Sequence, residues 1–295
     1  MDFGRVSVIE LDAIDFKLPP DSVLNDLVLT SRPVKQPKVY IGCPKWGRKE
    51  WVGTLYPPGT KDKDFLDEYV RHFNSVELNA THYKMYDEAT IQKWADKAGD
   101  HDFVFCPKIY KGISHYGNLK NKQEQTENFL NALRSFGDHL GPVFIQVNEN
   151  FSPNRMEELI GYLSTLPKDI SFFVEVRHPA FFAKETIEQL CGQLIELQIG
   201  LVLTDAAGRR DCLHMCVTIP KVFIRFVGNN LHPTDYTRVD EWGKRLKSWF
   251  DNGLAEAYIM VHLWNEFNSP KLISYMIDQL NSTCNMHLKE PKPFK

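Results

Sequence analysis

The chain has 295 residues, 43% of them hydrophobic, which is enough to bury one large core or two smaller ones. Its net charge of -3 and pI near 6.4 exclude bulk, sequence-independent attraction to nucleic acid or to acidic membranes and leave only a local basic patch for such contacts. No apolar run of about 18 residues is present, and the acidic start (Asp2, Glu10, Asp12, Asp15) lacks the basic-then-apolar order of a signal peptide. The expected location is cytoplasmic, with no membrane partner.

Residues 1–37 carry Pro19, Pro20, Pro33 and Pro37 without sustained periodicity, the pattern of an N-terminal extension draped on a domain. From there short β-branched or aromatic runs alternate with helical patterns. Strands are expected at 39–43, 75–79, 103–107, 143–147, 172–177, 200–204, 222–227 and 257–262, with helices at 63–72, 89–98, 124–136, 153–164, 184–197, 240–250 and 270–281. Ser152 before Pro153 and Ser269 before Pro270 read as helix caps with proline in the first turn. Eight alternating units predict an α/β fold, a single (β/α)8 barrel of the TIM type over residues 38–288, followed by a short tail at 289–295. The stretch from Asp205 to Lys221 is too short for a helix and two loops, so a shortened or replaced sixth helix is expected.

The richest stretch is FFVEVRHPAFF at 172–182, where an apolar run ends in Glu175, Arg177 and His178. Alternation along a strand points Phe173, Glu175 and Arg177 one way and Phe172, Val174 and Val176 the other. Similar polar endings at Glu77 and Asn79, Lys108, Gln146, Asp205 and Arg225 predict one polar mouth at the C-terminal ends of the strands. The carboxylates Glu77, Glu175 and Asp205, with His178, are candidate catalytic groups; Lys108, Arg177 and Arg225 are candidate anion clamps, with Asn79 and Gln146 beside them. Gly228 and Asn229 follow strand seven, where glycine lets backbone amides approach a phosphate. Among the loop aromatics, Trp46 and Tyr83 are the expected stacking faces.

The six cysteines contain no C-x-x-C pair and read as free thiols; Cys212, His214 and Cys216 match no common zinc spacing, so no metal site is assigned. There is no H-E-x-x-H, Walker loop, G-x-S-x-G elbow or G-x-G-x-x-G following a strand. No cofactor and no oligomeric state follow from the sequence.

The strings IGCPKWGRKEWVGTLYPPGTK, FNSVELNATHY, FVFCPK, VFIQV, FFVEVRHPAFF and VFIRFVG, in that order, resemble the YecE-like family, also called domain of unknown function 72 (DUF72). The resemblance implies a TIM-type barrel and leaves the activity open. Matched by position it marks Gly42, Trp46, Glu77, Asn79, Tyr83, Lys108, Gln146, Glu175, Arg177, His178, Asp205 and Arg225. Two departures stand out: Phe226, Val227 and Gly228 follow Arg225 where many members have a histidine, and His262-Leu263-Trp264-Asn265 stands where they have paired asparagines. The extension and the string GRRDCLHM at 208–215 look peculiar to a subgroup.

The expected function is an enzyme, or a degenerate one, that binds a phosphorylated or otherwise anionic small ligand in the mouth, with Glu175 or Glu77 as base; a hydrolase or lyase fits such a set. Nucleic-acid binding or metal-dependent phosphodiester chemistry is the alternative, and a ligand-sensing barrel without turnover the third.

Overall fold

A computed structural model describes residues 3–30 and 32–294. The β-branched and aromatic runs form strands β1 Lys38–Cys43, β2 Ser75–Leu78, β3 Val104–Pro107, β4 Val143–Gln146, β5 Phe172–Glu175, β6 Gly200–Asp205, β7 Lys221–Val227 and β8 Glu256–His262. All pairs are parallel, in the order β3-β2-β1-β8-β7-β6-β5-β4. The ends meet between β3 and β4, where Gly141 N–H donates to Phe105 O (2.8 Å) and Ile109 N–H to Phe144 O (3.0 Å). This is the expected (β/α)8 barrel.

Helices Phe65–His72, Glu88–Ala98, Gln123–Leu133, Met156–Leu163, Lys184–Leu197, Pro233–Asp251 and Ser269–Cys284 surround it. The sixth connection carries only a 3-10 turn at Ala207–Cys212, as its length requires. The helix expected from residue 240 begins at Pro233, because the His232 ring accepts Thr234 N–H and the fixed proline φ suits the first turn. Two cap expectations need correction. Ser152 makes no side-chain cap and is followed by the 3-10 turn Pro153–Arg155; Ser269 is already inside its helix and donates its Oγ to Glu266 Oε2 (3.0 Å).

Inside the barrel the lower layers are apolar: Tyr40, Cys106, Phe144, Phe173, Val202, Phe223, Tyr258 and Met260 pack together. Two glycines make this possible. A Cβ on Gly42 would lie 1.9 Å from Ser75 O, and one on Gly200 would lie 2.2 Å from the Phe173 ring, so β6 yields the space that the phenylalanine fills.

The extension runs beside the shortened sixth connection. Asn25 Nδ2 donates to Met215 O (3.1 Å) and its Oδ1 accepts Val217 N–H (2.8 Å), Leu18 N–H donates to Glu241 Oε2 (3.0 Å), and Arg245 Nη2 donates to Pro19 O (2.9 Å). The GRRDCLHM string and the extension are thus packing partners.

Candidate functional site

The topmost inward positions of the strands are polar, and the alternation that buries Phe173, Phe223 and Met260 carries Glu175, Arg225 and His262 one step higher. Arg225, 1% exposed, lies between two carboxylates. Its Nε and Nη2 donate to Glu77 (2.9 and 2.8 Å), and its Nη1 donates to both oxygens of Glu175 (3.0 and 2.8 Å). Glu77 also accepts from His262 Nε2 (3.0 Å) and Asn79 Nδ2 (2.8 Å), and Glu175 from Arg177 Nε (2.9 Å) and Thr204 Oγ1 (3.3 Å). Such a network is stable in low dielectric only because every charge has a partner.

The titration behaviour follows. Burial raises the pKa of both carboxyls, but for Glu175 it is outweighed by Arg177, then Arg225 and Lys108, which together hold it at about 2. Glu77 is likewise held well below the usual range: burial opposes, and Arg225 followed by His262 prevails.

Lys108 differs from its neighbours. Its Nζ donates to Gln146 Oε1 (2.7 Å), and among the described residues no carboxylate lies within 4.0 Å of it. Burial chiefly, then the charge of Arg225, lowers its pKa to about 8. Arg177 is also incompletely engaged: beyond Glu175 it meets the exposed Glu149 at 3.4 Å. On Arg177 rests the ring of Phe3, with the guanidinium 4.1 Å from the ring centroid.

Several expected residues stand elsewhere. Asp205 is on the opposite face of β6 from Thr204; fully buried, it pairs with Arg238 (2.8 Å), Arg210 and Trp242 Nε1 (2.8 Å) in the helix layer, not in the mouth. His178 caps the turn Pro179–Phe182 by accepting Ala180 N–H (3.2 Å), so its ring serves the local turn. Trp46 turns its ring onto Trp94 and Phe105, at 5.4 and 6.3 Å between centroids, and is a packing residue. The amides after strand seven already hold an anion: Asn229 and Leu231 N–H donate to the Asp235 carboxylate (2.8 and 3.0 Å), with Asn230 and Leu231 at positive φ. A Cβ on Gly228 would meet Leu263 at 2.4 Å, so this glycine serves packing.

The structure brings together Glu77, Asn79, Lys108, Gln146, Glu175, Arg177 and Arg225. Tyr83 stands at the rim, 68% exposed, with Lys111 5.5 Å from its ring. Behind it His82, bonded to Ile109 O (2.7 Å), and His115 are both lowered by burial, then by Lys108, to about 4. Thr204 and His262 join the network although neither was a candidate site residue; for His262 the period-two phase with Met260 was the available signal, whereas Thr204 ends a run that is apolar on both faces. Phe3 left no signal at all, whereas Arg209 is a cation that closely follows the end of strand six in the sequence. His214, between two cysteines, spends both ring nitrogens on Val202 O and Cys216 N–H. All six cysteines are free. Among the described residues no group of three or more His, Cys, Asp or Glu side chains is placed to hold a metal ion, and no helix is long and apolar enough to cross a membrane.

A barrel with a charged ceiling at the C-terminal ends of its strands defines the class of protein in hand. The family described as "Protein of unknown function DUF72" matches residues 40–294, and the chain belongs to this family. It is 28% identical over 264 residues to the UPF0759 protein YecE of Escherichia coli (strain K12), covering 83% of this chain and 93% of that one. Over 160 residues it is 28% identical to the UPF0759 protein YunF of Bacillus subtilis (strain 168), covering 51% and 55%. Among solved structures, DUF72 family proteins of Thermotoga maritima MSB8 (TM-score 0.61, 21% identity, 84% of this chain and 100% of that one) and Enterococcus faecalis V583 (0.61, 18%, 87% and 99%) share the fold.

Proposed function

We propose that the barrel mouth binds an anionic small molecule, a phosphorylated or carboxylated metabolite, through Lys108 and Arg177, and that Lys108 exchanges a proton with it. The observation that carries this reading is the lysine without a carboxylate partner. Two buried carboxylates, Glu77 and Glu175, face three buried cations, Lys108, Arg177 and Arg225, with only the exposed Glu149 beyond them at Arg177, and a surplus buried cation is costly until an anion neutralises it. Glu77 and Glu175 are spent on the arginines and act as positioning residues that fix Arg225 and Arg177. Lys108, with a pKa of about 8, is the ceiling group suited to take up and release a proton near neutral pH.

The test is thermal unfolding and calorimetric titration with inorganic phosphate, sulfate and neutral sugars in low-salt buffer. A ligand at a hundredfold excess over its dissociation constant stabilises the native state by about 2.7 kcal/mol. The anions are expected to raise the Tm, Lys108→Met to abolish the shift, and the affinity to fall as pH rises through about 8 because the amine loses its charge. Stabilisation by neutral sugars and by none of the anions refutes the reading.

A further inference from the structure

Before the firmly docked stretch, residues 3–10 lie across the mouth. The ring of Phe3 sits on two guanidinium groups, Arg177 at 4.1 Å and Arg209 at 4.9 Å, and Arg5 lies 3.9 Å over the Trp264 ring. Gly208 N–H donates to Gly4 O (2.8 Å). The two glycines fit reciprocally: a Cβ on Gly4, whose φ is +71, would meet Ala206 Cβ at 2.6 Å, and one on Gly208 would meet Val6 at 2.9 Å and Gly4 O at 3.1 Å. Arg209 completes the clasp, donating Nη2 to Arg177 O (2.9 Å). This is a specific seat, built by the turn that replaces the sixth helix.

The same stretch is lightly held. Among the described residues one main-chain hydrogen bond ties residues 3–10 to the barrel, and the single helical turn Val8–Leu11 closes on itself through Ser7 and Glu10. Val8 and Ile9 are 58% and 90% exposed, whereas Leu11, where firm docking begins, is 1% exposed. The stretch also precedes the part of the chain that the family matches, residues 40–294.

We infer that residues 3–10 form a displaceable strap, hinged near Leu11, that closes the mouth and lifts to let a ligand reach Arg177. The contacts alone carry the closure; that the strap competes with an anion rests on the function proposed above. A chain whose strap is closed about nine-tenths of the time binds its ligand about tenfold more weakly than the open form, because apparent affinity scales with the competent fraction.

Two full-length variants test this: Gly4→Val, which cannot take the seat, and Phe3→Ala, which removes the ring from Arg177. Modification of Arg177 and Arg209 by phenylglyoxal, mapped by peptide mass, reports the strap without any ligand, and inorganic phosphate reports competition. Both variants are expected to be modified about tenfold faster than the parent and to bind phosphate about tenfold tighter, with circular dichroism unchanged. Equal modification rates overturn the strap. Faster modification with equal or weaker phosphate binding overturns its competition with the ligand and makes Phe3 part of the site. If no protein binds phosphate, the anion reading fails, while the modification rates still decide the closure.

Discussion

Replacing Arg225 by methionine separates a structural brace from a ligand group. The guanidinium makes four hydrogen bonds of 2.8–3.0 Å to two carboxylates that are 0% and 1% exposed. Methionine fills most of the volume but leaves Glu77 with His262 and Asn79, and Glu175 with Arg177 and Thr204. Removing one partner of a buried ion pair costs about 3–5 kcal/mol, and partial retention of neighbours on both carboxylates places the expected loss near 4 kcal/mol at pH 7. The pH dependence carries the sign. In the parent, Glu175 at about 2 lies below its ordinary 4.5, so its ion pairs contribute stability that is complete above 4.5 and is lost as pH falls toward 2. Without Arg225, burial acts with less opposition and pushes the carboxyls up, so the variant's deficit is greatest at neutral pH and shrinks in acid, where the carboxyls protonate. Urea unfolding of both proteins at pH 7 and pH 4 measures this. A deficit below about 1 kcal/mol, or one equal at the two pH values, refutes the assignment of Arg225 as the brace of a charged ceiling.

Gly200→Ala forces a Cβ to within 2.2 Å of the Phe173 ring, so the fold should lose about 1–3 kcal/mol by overpacking; Phe173→Leu in the same chain should restore part of it, and additivity of the two changes would show that they do not touch. Asp235→Asn takes the carboxylate from the Asn229 and Leu231 amides and from Arg238 (3.3 Å), with an expected loss of about 2 kcal/mol or more by chemical denaturation. A loss below about 0.5 kcal/mol would show that the carboxylate does not hold the turn after strand seven and that its assignment as the occupant of that seat is wrong.

The barrel was legible in the sequence because its causes are local. Alternating apolar runs with turn and helix signals between them specify parallel strands and crossovers, and the polar ends of β2, β3, β4, β5 and β7 come to one mouth by geometry alone. The pairings in that mouth were not legible. Arg225 joins Glu77, 148 residues away, and Glu175, 50 residues away, and no local pattern distinguishes a charge destined for such a brace from one that meets only a neutral amide, as Lys108 meets Gln146. Asp205 misled for a related reason. Leu201, Val202 and Leu203 are apolar on both faces, so the strand's phase is set by the fit of Gly200 against Phe173, which is a tertiary contact. The glycine turn after β7 does bind an anion, as its composition suggested, but the anion is the chain's own Asp235. The extension was readable as non-barrel chain from its prolines. That Phe3 lies on Arg177 was decided only by the missing sixth helix, whose vacated place holds the reciprocal seat of Gly4 and Gly208.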